Sequence, residues 1–352
     1  NKNIIYTIAL GNNGGGAQWT QTWDFFSATD QAKNPIHVGN LNGNTSLSNG
    51  SAWGPFFDGR IAPLIVADGS NVISTAFDED NANPPVYTYE SKSGTSMAAP
   101  GTAGSIALLL DGYSSNYLEQ YNTTLDTQRP LPALLKAILV NTSVDIATNQ
   151  RTSQELFDAS GNNQGQTAVA TQGPDYLTGY GRIDIEAALK LIKQSRQDEN
   201  SINMPTGFQQ GSLGDRDEYT HQFTVSQDLI NDLQANNQDL KISLAWDDPA
   251  TDILSPTGSP KLVNDLDLEV IFVDGTPTGE VFYPWQLGQT ITDTNGNAIA
   301  PVDQVPGTSI NVNLPINRVN TPQDRCAACT SNPRGNGPAE DTAGTDYEQI
   351  DV

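Results

Sequence analysis

Near its start the chain carries IIYTIAL (residues 4–10), an unbroken run without a charged position. A short apolar run closed by a turn, here GNNGGG at 11–16, predicts a parallel strand covered on both faces. IHVG (36–39), LIVA (64–67) and NVIST (71–75) predict further short buried strands. The period then changes. Between 96 and 110 apolar residues fall at Ala99, Ala103, Ile106 and Leu110, the spacing of one helical face. LPALLKAILVNT (131–142) repeats that period, with Pro132 tolerated in the first turn. IDIEAALKLIKQS (183–195) predicts a third helix, with Asp184 as its N-cap. Strands alternating with helices imply an α/β domain over 1–195, its sheet mostly parallel and flanked by helices.

Residues 196–218 are polar and rich in turn formers, as expected of a connection. Beyond them the texture alternates apolar and polar positions. YTHQFTV (219–225), LKISLAW (240–246), LDLEVIF (266–272) and SINVNL (309–314) predict strands. Turn signals DDPA, DGTP and TNGN separate them, so 219–352 predicts an all-β sandwich or jelly roll. SQDLINDLQ (226–234) is ambiguous between helix and strand, and 322–346 has the composition of an inserted loop. The chain opens on Asn1 without a Met or a charged leader and closes on the strand-like DYEQIDV, so a piece of a longer polypeptide is expected.

Composition narrows the function classes. Lys and Arg total 17 against 41 Asp and Glu, a net charge of −24. Such a surface disfavours phosphate backbones and argues against a nucleic-acid partner. No run approaches the ~20 apolar residues of a membrane span. The two cysteines, Cys326 and Cys329, stand in Cys-Ala-Ala-Cys. With two distant histidines and no other thiol, a four-ligand zinc site is not expected, which leaves a small disulfide loop or two free thiols.

Candidate chemistry centres on SGTSMAAP, residues 93–100. Ser96 falls at a predicted helix N-terminus, where unpaired N–H groups and the helix dipole favour developing negative charge. Gly94 permits a sharp approach, and Pro100 removes the donor that Ser96's carbonyl would otherwise receive, so an irregular first turn is expected. Local physics alone leaves two readings of Ser96 open, a helix cap and a nucleophile.

The whole octapeptide resembles, residue for residue, the nucleophile segment of the subtilisin-like serine peptidases (subtilases), a highly specific motif. The resemblance implies that Ser96 is the nucleophile. IALGNNG (8–14) is similar to the family's segment bearing the oxyanion asparagine, which implies Asn12. Ala9, Leu10 and Gly11 match the strip lining the pocket for the side chain before the cut. GPFFDGRIAPLIVADGSNVIST (54–75) and LTGYGRIDIEAAL (177–189) follow other family segments. LKISLAWDDPA, KLVNDLDLEV and DYEQIDV look like the β-sandwich appended to large secreted subtilases, which implies an extracellular protein acting on proteins or peptides. The resemblance thus covers most of the chain.

It also exposes a gap. The family's base is a His in His-Gly-Thr-His and its acid an Asp in Asp-Thr-Gly, and neither motif occurs in this chain. His37 lies in a strand segment after Asn12, whereas the family's histidine comes before the oxyanion asparagine, and His221 lies in the second region. Both read as structural, so base and acid are expected upstream of Asn1. Peptide hydrolysis by this mechanism needs no cofactor. Asp247, Asp248 and Asp252, with Asn264, Asp265 and Asp267, form oxygen-rich clusters suited to structural Ca²⁺, or else the wet face of a strand. Two other functions are consistent with the residues: an inactive subtilase homologue acting as a binding module, and a relative of the serine-carboxyl peptidases.

Overall fold

In a computed structural model the chain is described over residues 4–12, 32–43, 46–53, 60–78, 86–118, 124, 129–146, 153–157, 163–169, 174–175, 177–195, 207–214, 217–225, 227–236, 240–250, 263–264, 266, 268–272, 280–282, 285–287, 291–293, 298–299, 310–311, 316–318 and 347–351. The first sheet is built from β1 (Thr7–Ala9), β2 (Ile36–Asn42), β3 (Ser46–Leu47) and β4 (Ile65–Asp68). Val38 pairs in parallel with both Ala9 and Ile65, so β1 and β4 flank β2 on opposite sides. β3 returns antiparallel to the end of β2. β2 is buried from Ile36 to Leu41, as a central parallel strand requires. At its middle Gly39 has no room for a Cβ, which would sit 2.9 Å from Val66 Cγ1.

Three helices close the core. α1 (Thr95–Gly112) packs on all three parallel strands, α2 (Pro132–Thr142) begins with its proline in the first turn, and α3 (Ile185–Gln194) lies against both. The Asp184 carboxylate accepts the Ala187 N–H at 2.9 Å, the capping contact expected from sequence. Ile36, Val38 and Ile65 of the sheet share one core with Ile106 and Leu109 of α1, Ile138 and Leu139 of α2, and Ile192 of α3. Burial of each large aliphatic side chain contributes about 1.5–3 kcal/mol. After α1 the chain continues as a π-helical turn, Tyr113–Leu118. Tyr113 is buried with its ring 5.9 Å from that of Phe208, and burial pushes its hydroxyl up from 10.0 to about 12.

Several expectations are corrected. The run at 4–10 is not covered on both faces: Thr7–Ala9 are half-buried and Tyr6 is exposed, because β1 pairs only with β2 among the described residues. NVIST is not a buried strand of the parallel sheet. It opens β5 (Val72–Asp78), which pairs antiparallel with β6 (Val86–Lys92) in a separate hairpin with Ile73 in solvent. β-branched residues suit any pleated surface and do not report burial. The buried face of α1 runs through Ala98, Ala99, Thr102, Ile106 and Leu109, leaving Ala103 exposed and Leu110 half-buried. Residues 219–225 form no strand and are mostly exposed, while the ambiguous segment after them is α4 (Gln227–Asn236).

A second hairpin, β7 (Ser153–Phe157) with β8 (Asn163–Val169), follows α2 in the chain and had no counterpart among the expected strands. Downstream, β9 (Lys241–Ala245) pairs with a late strand, Tyr347–Asp351, and every other described pairing beyond residue 240 is likewise antiparallel. These strands form separate two- and three-stranded sheets. Cys326 and Cys329 lie outside the described residues. No described helix is long and apolar enough to cross a membrane.

Candidate active site

The end of β1 and the start of α1 meet at one point. Beyond Ala9 the chain leaves the sheet at Leu10, whose N–H donates to the Val38 carbonyl at 3.1 Å. Gly11 follows with φ of 121°, a conformation that favours glycine, and its carbonyl accepts from Ala52 N–H at 2.9 Å. This turn delivers Asn12 to the N-terminus of α1. The Thr95 backbone N–H donates to Asn12 Oδ1 at 2.8 Å, and the Thr95 hydroxyl donates to the same oxygen at 3.0 Å. The hydroxyl in turn accepts from the Gly11 N–H at 3.2 Å.

These contacts orient the carboxamide. A backbone N–H can only donate, so the Asn12 atom facing Thr95 is the oxygen. Both acceptor directions of that oxygen are taken, and the amide's N–H₂ is left to face elsewhere. Gly94 makes the approach sterically feasible: its φ is 149°, and a Cβ there would lie 2.9 Å from Asn12 Oδ1. Gly69, just past β4, does the same on the other flank, since a Cβ there would lie 2.6 Å from the Gly94 carbonyl and 2.7 Å from the Ala98 nitrogen.

Ser96 is exposed, next to buried Thr95 and one turn before buried Ala99. The Gly94 carbonyl accepts from Met97 N–H at 2.9 Å and from Ala98 N–H at 3.3 Å. The Gly94 carbonyl is therefore shared between two donors, while the helix runs unbroken from Thr95 to Gly112 through Pro100. Thr95 N–H is held by Asn12, so in this turn the Ser96 N–H is the donor without a protein acceptor among the described residues. The result is an exposed hydroxyl, an adjacent backbone N–H and a neighbouring carboxamide N–H₂, all at the positive end of an 18-residue helix.

Of the other singled-out residues, Ala9 is half-buried against the main core, while Leu10 is fully buried with Ala52 and Ala62. The Leu10 side chain therefore faces the interior and not the surface beside Asn12. His37 is buried on β2, opposite Ile8. His221 is exposed outside any strand, within 3.1 Å of the Gln209 amide and stacked on Phe223. Thr95 and Gly69 were not singled out from sequence. The signal for Thr95 lay within the motif itself; for Gly69 it was the turn DGS closing LIVA.

The acidic clusters divide. Asp247 faces Lys136, whose Nζ is 2.8 Å away and also donates to the Trp246 carbonyl at 3.1 Å. Asp248 is buried and pairs with Lys33 while accepting from the backbone N–H groups of Val263 and Asn264, both at 2.8 Å. Lysines and amides thus occupy the carboxylates offered above to a cation. Asp252, Asp265 and Asp267 lie outside the described residues, and no group of three metal-ligating side chains occurs among the described ones.

A family model described as the subtilase family, Peptidase S8, matches residues 1–181, and the chain belongs to that family. It is similar to two proteins of Dictyostelium discoideum described as serine protease/ABC transporter B family proteins. With tagA it is 27% identical over 64% of this chain and 12% of that protein; with tagD, 26% over 76% and 15%. The chain thus spans less than a sixth of the length of either relative. Among solved structures, the self-cleaved protease domain of PatA shares 20% identity over 54% of this chain and 51% of its own, with a TM-score of 0.33.

Proposed function

We propose that the chain forms part of a secreted serine endopeptidase in which Ser96 attacks the peptide carbonyl and Asn12 helps hold the resulting oxyanion. The observation that carries this reading is the Asn12 to Thr95 contact, which sets a carboxamide beside an exposed serine at a helix N-terminus. In the first step Ser96 Oγ bonds to the carbonyl carbon, its proton passes to a base, and the carbonyl oxygen becomes anionic. The Ser96 N–H and the Asn12 N–H₂ are the two donors for that oxygen. The C–N bond then breaks, the amine leaves with the proton, and water releases the acyl group from Ser96.

Within this proposal the base and the acid stay unassigned, since the chain carries neither the His-Gly-Thr-His nor the Asp-Thr-Gly segment. Neither histidine suits the role: one is buried within β2 and the other is tied to Gln209 in a different region. The antiparallel pairs beyond residue 240 support an appended β-sandwich within the same proposal, and structural Ca²⁺ remains a proposal for the carboxylates beyond residue 250. The test is covalent labelling of the full-length protein with a fluorophosphonate, followed by peptide mapping. Label on Ser96, lost together with hydrolysis in Ser96→Ala, is the expected result. Undiminished hydrolysis in that variant would overturn the reading. The 1–352 chain alone is expected not to cleave casein.

A further inference from the structure

The central strand carries a polar side chain where its row predicts an apolar one. Ile36 and Val38 of β2 belong to the core shared with α1, and residues two apart on a strand share a face. Asn40 is the next position of that row, and it is 2% exposed. Its main chain and its side chain are fastened to different segments. The Asn40 N–H donates to Ser51 Oγ at 2.9 Å, and the neighbouring Ala52 N–H donates to the Gly11 carbonyl at 2.9 Å, one residue before Asn12. Asn40 Nδ2 donates to Ser70 Oγ at 3.3 Å, and the neighbouring Gly69 carbonyl accepts the Gly94 N–H at 2.9 Å, two residues before Ser96. The end of β2 thus reaches both halves of the candidate site, the asparagine turn through Ser51 and the serine turn through Ser70.

The other end of the carboxamide, Oδ1, is buried and accepts no hydrogen bond among the described residues. A buried oxygen without a donor costs stability, and an aliphatic side chain of the same shape avoids that cost. Because a hydroxyl both donates and accepts, Ser70 can hold either end of the carboxamide. Oδ1 stands 2.6 Å from the point that a Gly69 Cβ would take, as does the Gly94 carbonyl, with the Ala98 nitrogen at 2.7 Å. Gly69 is therefore held tightly between Asn40 on one side and the first turn of α1 on the other, and a displacement of Gly69 is passed on to Gly94. A further tie of this turn to β2, from the Gly69 N–H to the Leu41 carbonyl, is long at 3.4 Å, which leaves the carboxamide to set where the turn sits. We propose that Asn40 is a positioning residue of the peptidase site: it holds the Gly69–Ser70 turn, and through it Gly94, at the setting in which Ser96 and its N–H meet a substrate carbonyl. The inference rests on the peptidase reading. Asn40 is buried, so it acts through Gly69 and Gly94 and not on the substrate. A misplacement of about 1 Å far from the reacting atoms can lower a rate roughly 100-fold, so a small shift of this turn is enough to register.

The experiment uses the full-length protein and two readouts. One is kcat and KM on fluorescein-labelled casein; the other is the rate at which a fluorophosphonate labels Ser96, which needs the nucleophile and the oxyanion donors but no bound peptide. Asn40→Ala and Ser70→Ala are each expected to lower kcat and the labelling rate about tenfold, with KM changed less than about twofold. The double variant should lose no more than either single one, because both substitutions remove the same contact. Asn40→Leu keeps the shape and removes the unpartnered oxygen. It should unfold at or above the temperature of the parent while showing the same kinetic loss, a separation that a merely structural role would not produce. Ser46→Ala, which removes a hydrogen bond to the Asn42 carbonyl on the same strand, serves as the control and should leave both rates unchanged. Parent-like rates in Asn40→Leu and Ser70→Ala, losses that add in the double variant, or losses that only follow a lowered unfolding temperature overturn the inference and leave the peptidase reading intact. A parent protein that neither cleaves casein nor takes label at Ser96 overturns the peptidase reading, and this inference with it.

Discussion

Two of the long-range junctions among the described residues are built from opposite materials. At the first, Asn12 meets Thr95 through neutral hydrogen bonds between residues 83 apart in sequence. At the second, Lys33 meets Asp248 and Lys136 meets Asp247, pairs more than 100 residues apart. The Asp248 and Lys136 side chains are fully buried. The neutral junction uses glycines to bring backbones close and leaves donors facing outward. The charged junction turns its polar atoms inward: Asp248 accepts from a lysine, two backbone amides and the Asn264 amide, and Asn34 brackets its backbone on both sides. A junction with donors left over can act on another molecule. One whose groups are satisfied internally acts as a fastening between the α/β region and the segment after β9.

The largest effect is expected at the charged junction. Asp248→Ala leaves the Lys33 ammonium and two backbone amides without that acceptor, and should cost about 3–5 kcal/mol in urea unfolding. Lys92→Ala, which removes the exposed pair with Glu90, should stay within about 0.5 kcal/mol in the same measurement. Equal effects from the two substitutions would erase the distinction drawn between buried and exposed pairs. At the neutral junction the expected signature is kinetic. Asn12→Ala in the full-length protein should lower kcat about 100- to 1,000-fold with little change in KM. A change confined to KM would argue that Asn12 holds substrate and not the oxyanion.

A third measurement tests burial away from both junctions. Tyr113 has its hydroxyl raised to about 12, so between pH 10 and 12 the folded state holds a proton that the unfolded state has released. Its contribution to stability is present below pH 10 and is lost as pH rises toward 12. Tyr113→Phe should therefore flatten the alkaline limb of a stability profile between pH 10 and 12. A smaller effect than at Asp248 is expected from Thr95→Val, which keeps the shape and removes the hydroxyl that bonds both Asn12 Oδ1 and Gly11 N–H. It should cost about 1 kcal/mol of stability per hydrogen bond lost.

Legibility in the sequence follows the range of the forces involved. The octapeptide, the three helices of the α/β region and the Asp184 cap are set by residues close in the chain, and they are readable there. Lys136 is not: within LPALLKAILVNT a lysine reads as a solvated position, and its burial draws on Trp246 and Asp247, 110 and 111 residues away. The hairpin is hidden for a related reason. NVIST has the composition of a core strand, and the pairing that makes it a protruding ribbon depends on VYTYESK, whose own alternation runs straight into the motif it precedes. The 219–225 segment shows the converse, since alternation there found no partner strand among the described residues.

The sequestered ammonium of Lys33 bears on how the protein responds to ionic strength. Raising salt from about 0.01 to 0.15 M shortens the reach of exposed charges from roughly 30 to 8 Å, yet buried pairs are screened much less. With 41 acidic against 17 basic side chains, what salt mainly relieves on this protein is repulsion among surface carboxylates. Brine should accordingly raise the melting temperature without loosening the Lys33–Asp248 fastening.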